Sequence, residues 1–78
     1  MDPTHLSFHY ERDADILYVH LVAPYAAPES DELGDDVIAR CHPTTGAVEG
    51  LELLFFSTRL LRDSDFSLPL VGQLRRAD

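Results

Sequence analysis

An α+β fold, a four-stranded antiparallel sheet built from two hairpins with a short C-terminal helix, follows from three features of the chain. Residues 5–11 and 16–22 carry β-forming patterns on either side of a four-residue polar turn. Residues 37–42 and 47–55 do the same around Pro43-Thr44-Thr45-Gly46. Ser57 then precedes Thr58-Arg59-Leu60-Leu61-Arg62, a serine-capped helix start.

The first strand alternates polar and apolar residues and so sets Leu6, Phe8 and Tyr10 on one face. The second, Ile16 to Val22, is rich in β-branched and aromatic residues. Arg12-Asp13-Ala14-Asp15 between them has hairpin length. Pairing Glu11 with Ile16 sets Tyr10 against Leu17, Phe8 against Val19 and Leu6 against Leu21, so six apolar side chains share one face. A slip of one residue would bring Ile16, Tyr18 and His20 there instead, a poorer apolar set. The favoured register leaves Ile16, Tyr18, His9 and His20 on the opposite face. That face is too apolar to be plain solvent surface, and either the C-terminal segment or a second subunit is expected to cover it.

Residues 23–36 read as a long irregular connection, because two prolines, a glycine and five acids oppose a regular element. Closing the second hairpin at 43–46 puts His42 opposite Ala47 and Arg40 opposite Glu49, a cross-strand ion pair. Gly50 inside a strand signals a bulge or a close backbone approach. Pro69 and Gly72 leave the tail extended or broken. The chain is then one domain over residues 1–78, with a core of about 5–62 and a less regular tail over 63–78.

Size and charge narrow the function classes. A domain of 78 residues buries only roughly 60–65% of its unfolded surface. A single cysteine, Cys41, provides no intramolecular disulfide, so a homo-oligomer, dimer or higher, is expected. Fourteen acidic against six basic residues give a net charge of −8, which disfavours nucleic acid and anionic membranes and favours a basic protein as partner. The longest apolar run, Leu53 to Phe56, falls far short of the roughly 20 residues of a spanning helix. No basic n-region opens the chain, and a lone thiol suits a reducing compartment, so the expected location is cytoplasmic.

The chemistry-bearing residues mostly have structural readings. His5 and His9 share a strand face but stand about 13 Å apart, too far to grip one ion. His9 and His20 are diagonal neighbours with Tyr18 between them and could share zinc, although no third ligand is specified by spacing. Asp13 and Asp15 suit turn and capping roles better than paired acid–base work. The acids around Asp31-Glu32-Leu33-Gly34-Asp35-Asp36 lack the spacing of a calcium loop. Cys41 and His42 are adjacent on a strand and point to opposite faces, so they form no nucleophile–base pair, and Cys41 reads as a buried structural thiol. No cofactor or enzyme activity is implied.

Two segments carry a family resemblance. Residues 10–21, Tyr-Glu-Arg-Asp-Ala-Asp-Ile-Leu-Tyr-Val-His-Leu, are similar to the pattern Y-D-x-x-x-D-x-L-Y-I-x-L of a small bacterial domain of unknown function, family 2283. Residues 46–54, Gly-Ala-Val-Glu-Gly-Leu-Glu-Leu-Leu, resemble its G-x-x-V-G-I-E-I-L. Both stand in the family's order, and the likeness covers roughly residues 8–60. Glu11 departs from the family's aspartate, and Glu49 stands where the family has an apolar residue. The resemblance implies a small β-rich fold with a short helix and no catalytic residues. Some members of the family sit in antitoxin-like genomic settings.

The function expected from these readings is a non-catalytic, acidic protein–protein interaction module that self-associates. Its contact residues are expected among Glu29, Asp31, Glu32, Asp35 and Asp36 of the acidic connection and Tyr18 and His20 of the first hairpin. One alternative is an antitoxin-like inhibitor whose acids mask a basic RNA-cleaving toxin. Another, of a different class, is a small metal-dependent enzyme using His9 and His20.

Overall fold

Five strands, rather than four, form the sheet of the computed structural model, which describes residues 5–26, 28–62, 65, 67–72 and 74–76. They are β1 Ser7–Glu11, β2 Ile16–His20, β3 Glu29–Gly34, β4 Val37–Cys41 and β5 Val48–Leu54, followed by α1 Phe56–Arg62. All neighbours are antiparallel, in the order β1-β2-β5-β4-β3.

The first hairpin has the expected register, with Glu11 opposite Ile16, Tyr10 opposite Leu17 and Phe8 opposite Val19. Apolar alternation on both strands fixes it, because a slip would turn every side chain over. Leu21 and Val22 have left the strand, but both amides donate to the Glu49 carbonyl, at 3.0 and 3.1 Å. β5 occupies the centre of the sheet. It is the longest strand, at 7 residues, and none of its residues is fully exposed, as suits a strand paired on both sides.

The added strand is β3, in the stretch read as a loop. Gly34 pairs with Val37, so Asp35 and Asp36 form a two-residue turn, both with positive φ (49° and 61°). That is the backbone of a type I′ hairpin turn, and aspartate tolerates the left-handed region better than most residues. Glu29, Ser30, Asp31 and Glu32 have little strand propensity of their own. They pair because β4 offers a free edge, and their charges suit an outermost strand facing water.

The second hairpin departs from the expected pairing by one residue. His42 does bond to Ala47, and Gly46 closes the turn at φ 76°. A register shift between Arg40 and Cys41 then makes Glu49 an extra residue on β5, and Arg40 comes opposite Gly50. The expected Arg40–Glu49 ion pair is therefore replaced. Arg40 Nε approaches Glu52 at 3.8 Å, while Glu49 accepts a hydrogen bond from the Tyr25 hydroxyl. Cys41 is half-buried rather than buried.

The helix begins at Phe56, two residues earlier than its sequence suggested, and Ser57 lies inside its first turn. Its cap comes from the first hairpin. Asp15 accepts the Ser57 amide at 2.9 Å and the Ser57 hydroxyl at 2.8 Å, and its backbone carbonyl accepts the Phe56 amide at 3.0 Å. Phe56 sets its ring 6.1 Å from that of Tyr10, which places the start of α1 on the Tyr10 face of the sheet. On that same face lie the fully buried apolar side chains among the described residues, Val37, Ala39 and Leu53. Arg59 fastens the far side of α1: it is 3% exposed and donates to the carbonyl and carboxylate of Asp35 in the β3–β4 turn. Within the described residues, no helix is long and apolar enough to cross a membrane. Of the tail, residues 63, 64, 66, 73, 77 and 78 lie outside the described set, as do residues 1–4 and 27, and the described remainder forms no helix or strand.

Candidate functional site

Register sorts the side chains of the sheet into two unlike faces. One carries Phe8, Tyr10, Leu17, Val19, Leu51 and Leu53 and receives the helix. Across the other run two rows. The first is His9, Tyr18, Glu52, Ile38 and Glu32; the second is Ser7, His20, Gly50, Arg40 and Ser30.

In the second row Gly50 stands between His20 and Arg40, and its missing side chain is what lets the other two meet. The Arg40 guanidinium lies over Gly50, where an added Cβ would sit 2.7 Å from Arg40 Cζ. From there Arg40 Nη2 donates to His20 Nδ1 at 2.6 Å. This bond requires a lone pair on Nδ1, so it holds His20 as the neutral tautomer protonated at Nε2. Partial burial holds the His20 pKa below the ordinary imidazole range, and the charge of Arg40 and the nearby His9 add to the effect.

The three rings stack in sequence. His9 and Tyr18 lie with centroids 6.1 Å apart, as do Tyr18 and His20, at interplanar angles of 28° and 11°. Tyr18 thus intervenes between the two imidazoles that would have to share a metal, and one His20 nitrogen is occupied by Arg40. Among the described residues, no group of three His, Cys, Asp or Glu side chains could hold an ion. Beside His20, a shallow hollow of about 240 Å³ is bounded by His5, Ser7 and the turn from Leu21 to Pro24.

The acids expected to act as one patch are divided. Glu29 and Asp31 lie on the helix-bearing face of β3 and Glu32 on the other, all exposed. Asp35 is engaged by Arg59 at 3.2 Å and Arg62 at 3.7 Å, and the Asp36 carbonyl accepts the Leu54 amide. Tyr18 and His20 do come together, as described. The sequence marks Gly50 as a close approach and pairs Arg40 with Glu49; what it misses is Glu52 as the partner of Arg40 and the contact of Arg40 with His20 across Gly50. The signal was present, because a glycine inside a strand marks a close approach whose visitor only the register identifies.

Exposed large apolar side chains occur at several places among the described residues, including Tyr25, Phe55, Val71 and Leu74. Leu6, Phe8 and Tyr10 of the β1 segment are 41%, 64% and 40% exposed, and Leu60 and Leu61 of α1 are 58% and 90% exposed. Central and β4 positions on the same face are covered.

These features define a small α+β domain with a five-stranded antiparallel sheet, a ring ladder on one face and exposed apolar side chains of the β1 segment on the other. A family model described as "Protein of unknown function (DUF2283)" matches residues 7–57, well over half of the chain, and the chain belongs to that family. No match was found among curated proteins or among solved structures.

Proposed function

We propose that this protein is a non-catalytic interaction module that self-associates through the exposed apolar side chains of the β1 segment. The observation that carries the reading is the placement of its apolar surface. Three apolar side chains are buried among the described residues, whereas Leu6, Phe8 and Tyr10, which alternate along the β1 segment, are 41%, 64% and 40% exposed. Exposed apolar side chains set on one face of an edge strand are a contact surface or a liability, and a second copy removes them from water. The ring ladder on the other face supports a non-catalytic reading, since its His20 imidazole is committed to Arg40 and stacked on Tyr18.

Sedimentation velocity from low to high micromolar concentration tests this. A mass at least twice the 8.8 kDa chain is expected at the upper end. A Phe8→Asp variant, altering a side chain that is 64% exposed, is expected to stay folded by circular dichroism and to sediment as a monomer. An 8.8 kDa species throughout would overturn the reading.

The exposure of Glu29, Asp31 and Glu32 on the outer strand favours a second reading, docking of a basic protein there, as an antitoxin-like inhibitor would require. Capture of such a partner that survives 1 M salt would count against it, because charge-driven association is screened at that ionic strength.

A further inference from the structure

The two edges of the sheet are built differently, and the difference points to how copies join. The β3 edge carries Glu29, Asp31 and Glu32 and a register shift between Glu32 and Gly34. Charges and bulges of this kind keep an edge strand from pairing with another chain. The β1 edge is less guarded. Its register against β2 is unbroken from Ser7 to Glu11, and among the described residues no other strand pairs with its outer side. Its one acid, Glu11, lies at the end of the strand, and Leu6, Phe8 and Tyr10 are all substantially exposed.

Resting on the self-association reading above, we propose that a second copy pairs its β1 antiparallel to β1 across a two-fold axis, making one continuous ten-stranded sheet. The segment is self-complementary in that arrangement. Centred on Phe8, the pairing sets Phe8 against Phe8 and Leu6 of each copy against Tyr10 of the other, on the helix-bearing face. On the opposite face it sets Ser7 against His9 and Glu11 against His5, so no acid meets an acid. Cross-strand aromatic and aliphatic pairs at this spacing are favourable contacts, and the outward backbone groups of β1 gain partners at the same time. The two helices remain on one side of the joined sheet.

Backbone hydrogen exchange on the full chain, followed residue by residue by NMR at concentrations below and above the association midpoint, tests the pairing. In an isolated hairpin edge, alternate amides of Ser7 to Glu11 face solvent and exchange fast. Edge pairing is expected to slow those amides at least tenfold as the dimer forms, and to give contacts between Leu6 and Tyr10 of differently labelled copies. A dimer whose β1 amides keep their fast–slow alternation would overturn edge pairing and leave self-association intact. A monomer at every concentration would overturn both. A Phe8→Lys variant supplies the control, with alternation at all concentrations expected in a folded monomer.

Discussion

Arg40 and His20 sit on strands that do not pair with each other, and yet Arg40 Nη2 donates to His20 Nδ1 at 2.6 Å. Only Gly50 of the intervening strand lies in the way, and it has no side chain to obstruct the contact. Gly50→Ala would put a methyl group where the guanidinium rests, and the arginine, whose side chain is only 13% exposed, must leave. The expected cost is about 0.5–1.5 kcal/mol, that of the lost Arg40–His20 hydrogen bond, because the guanidinium is the far end of a flexible side chain and can swing aside. It would be read as a lower urea midpoint with an unchanged slope. NMR titration of His20 should move upward toward the ordinary imidazole value, because one of the groups that depress it has gone. An unmoved titration would show that Arg40 does not govern His20.

The same contact gives stability a dependence on pH. Burial, Arg40 and His9 lower the His20 pKa in the folded chain, whereas the unfolded chain retains the ordinary value of 6.5. The unfolded state therefore takes up the proton first. The contribution is complete above the ordinary value, declines as pH falls from there to the depressed folded value, and falls no further below it. A His20→Gln variant, whose amide oxygen can still accept from Arg40, should lack this component. Denaturant midpoints of the two proteins, compared at half-unit steps from pH 8 to 5, should diverge from pH 7 downward in slope.

How much of this was legible in the sequence depended on whether a residue's role was local. Leu6, Phe8 and Tyr10 alternate against a β-rich partner four residues away, so their register follows from neighbouring sequence alone. Gly46 and the turn it closes are equally local. β3 escaped because Glu29, Ser30, Asp31 and Glu32 form a strand by backbone pairing to β4, with almost no apolar pattern. The signal that could have found it is Asp35-Asp36 set two residues wide before Val37, a hairpin turn in an unfamiliar spelling. The Arg40–Glu49 expectation failed for a different reason. One extra residue at Glu49 shifts every later partner, and sequence alone does not state where a bulge falls. Arg40, Gly50 and His20 needed three strands to be ordered before they could be neighbours.

Asp15 ties the tip of the first hairpin to a helix 42 residues further on. It holds φ at 56°, which asparagine tolerates and alanine does not, and its carboxylate accepts from Tyr10, the Ser57 amide and the Ser57 hydroxyl. Asp15→Ala should therefore lower Tm by about 5 °C or more, the scale of a lost cap in a domain of this size, and Asp15→Asn by less. The hydrogen bond from Tyr10, followed by that from the Ser57 amide, holds the Asp15 pKa below the usual carboxylate range. Its contribution is present above that range and lost as pH falls through the depressed value. The acid limb of a Tm-against-pH curve should accordingly flatten in Asp15→Asn, and an unchanged limb would remove Asp15 from the acid response.

Arg59 secures the other side of the helix. Its side chain is 3% exposed while that of Asp35, which it engages, is 71% exposed. The asymmetry decides what a substitution costs. Water can solvate the Asp35 carboxylate if Arg59 is removed, but the Asp35 carbonyl loses a donor from a charged group. Arg59→Met keeps much of the buried aliphatic volume and is expected to cost about 1–3 kcal/mol, the range for losing charge-assisted hydrogen bonds. The loss should be local: amides of α1 should exchange faster, while those of β2 and β5 keep their protection as long as the sheet stays folded. Asp35→Asn retains the carbonyl and a residue that accepts positive φ, so it should cost less than Arg59→Met. If the two variants lost the same stability, the ion pair rather than the carbonyl contact would be what holds the helix to the β3–β4 turn.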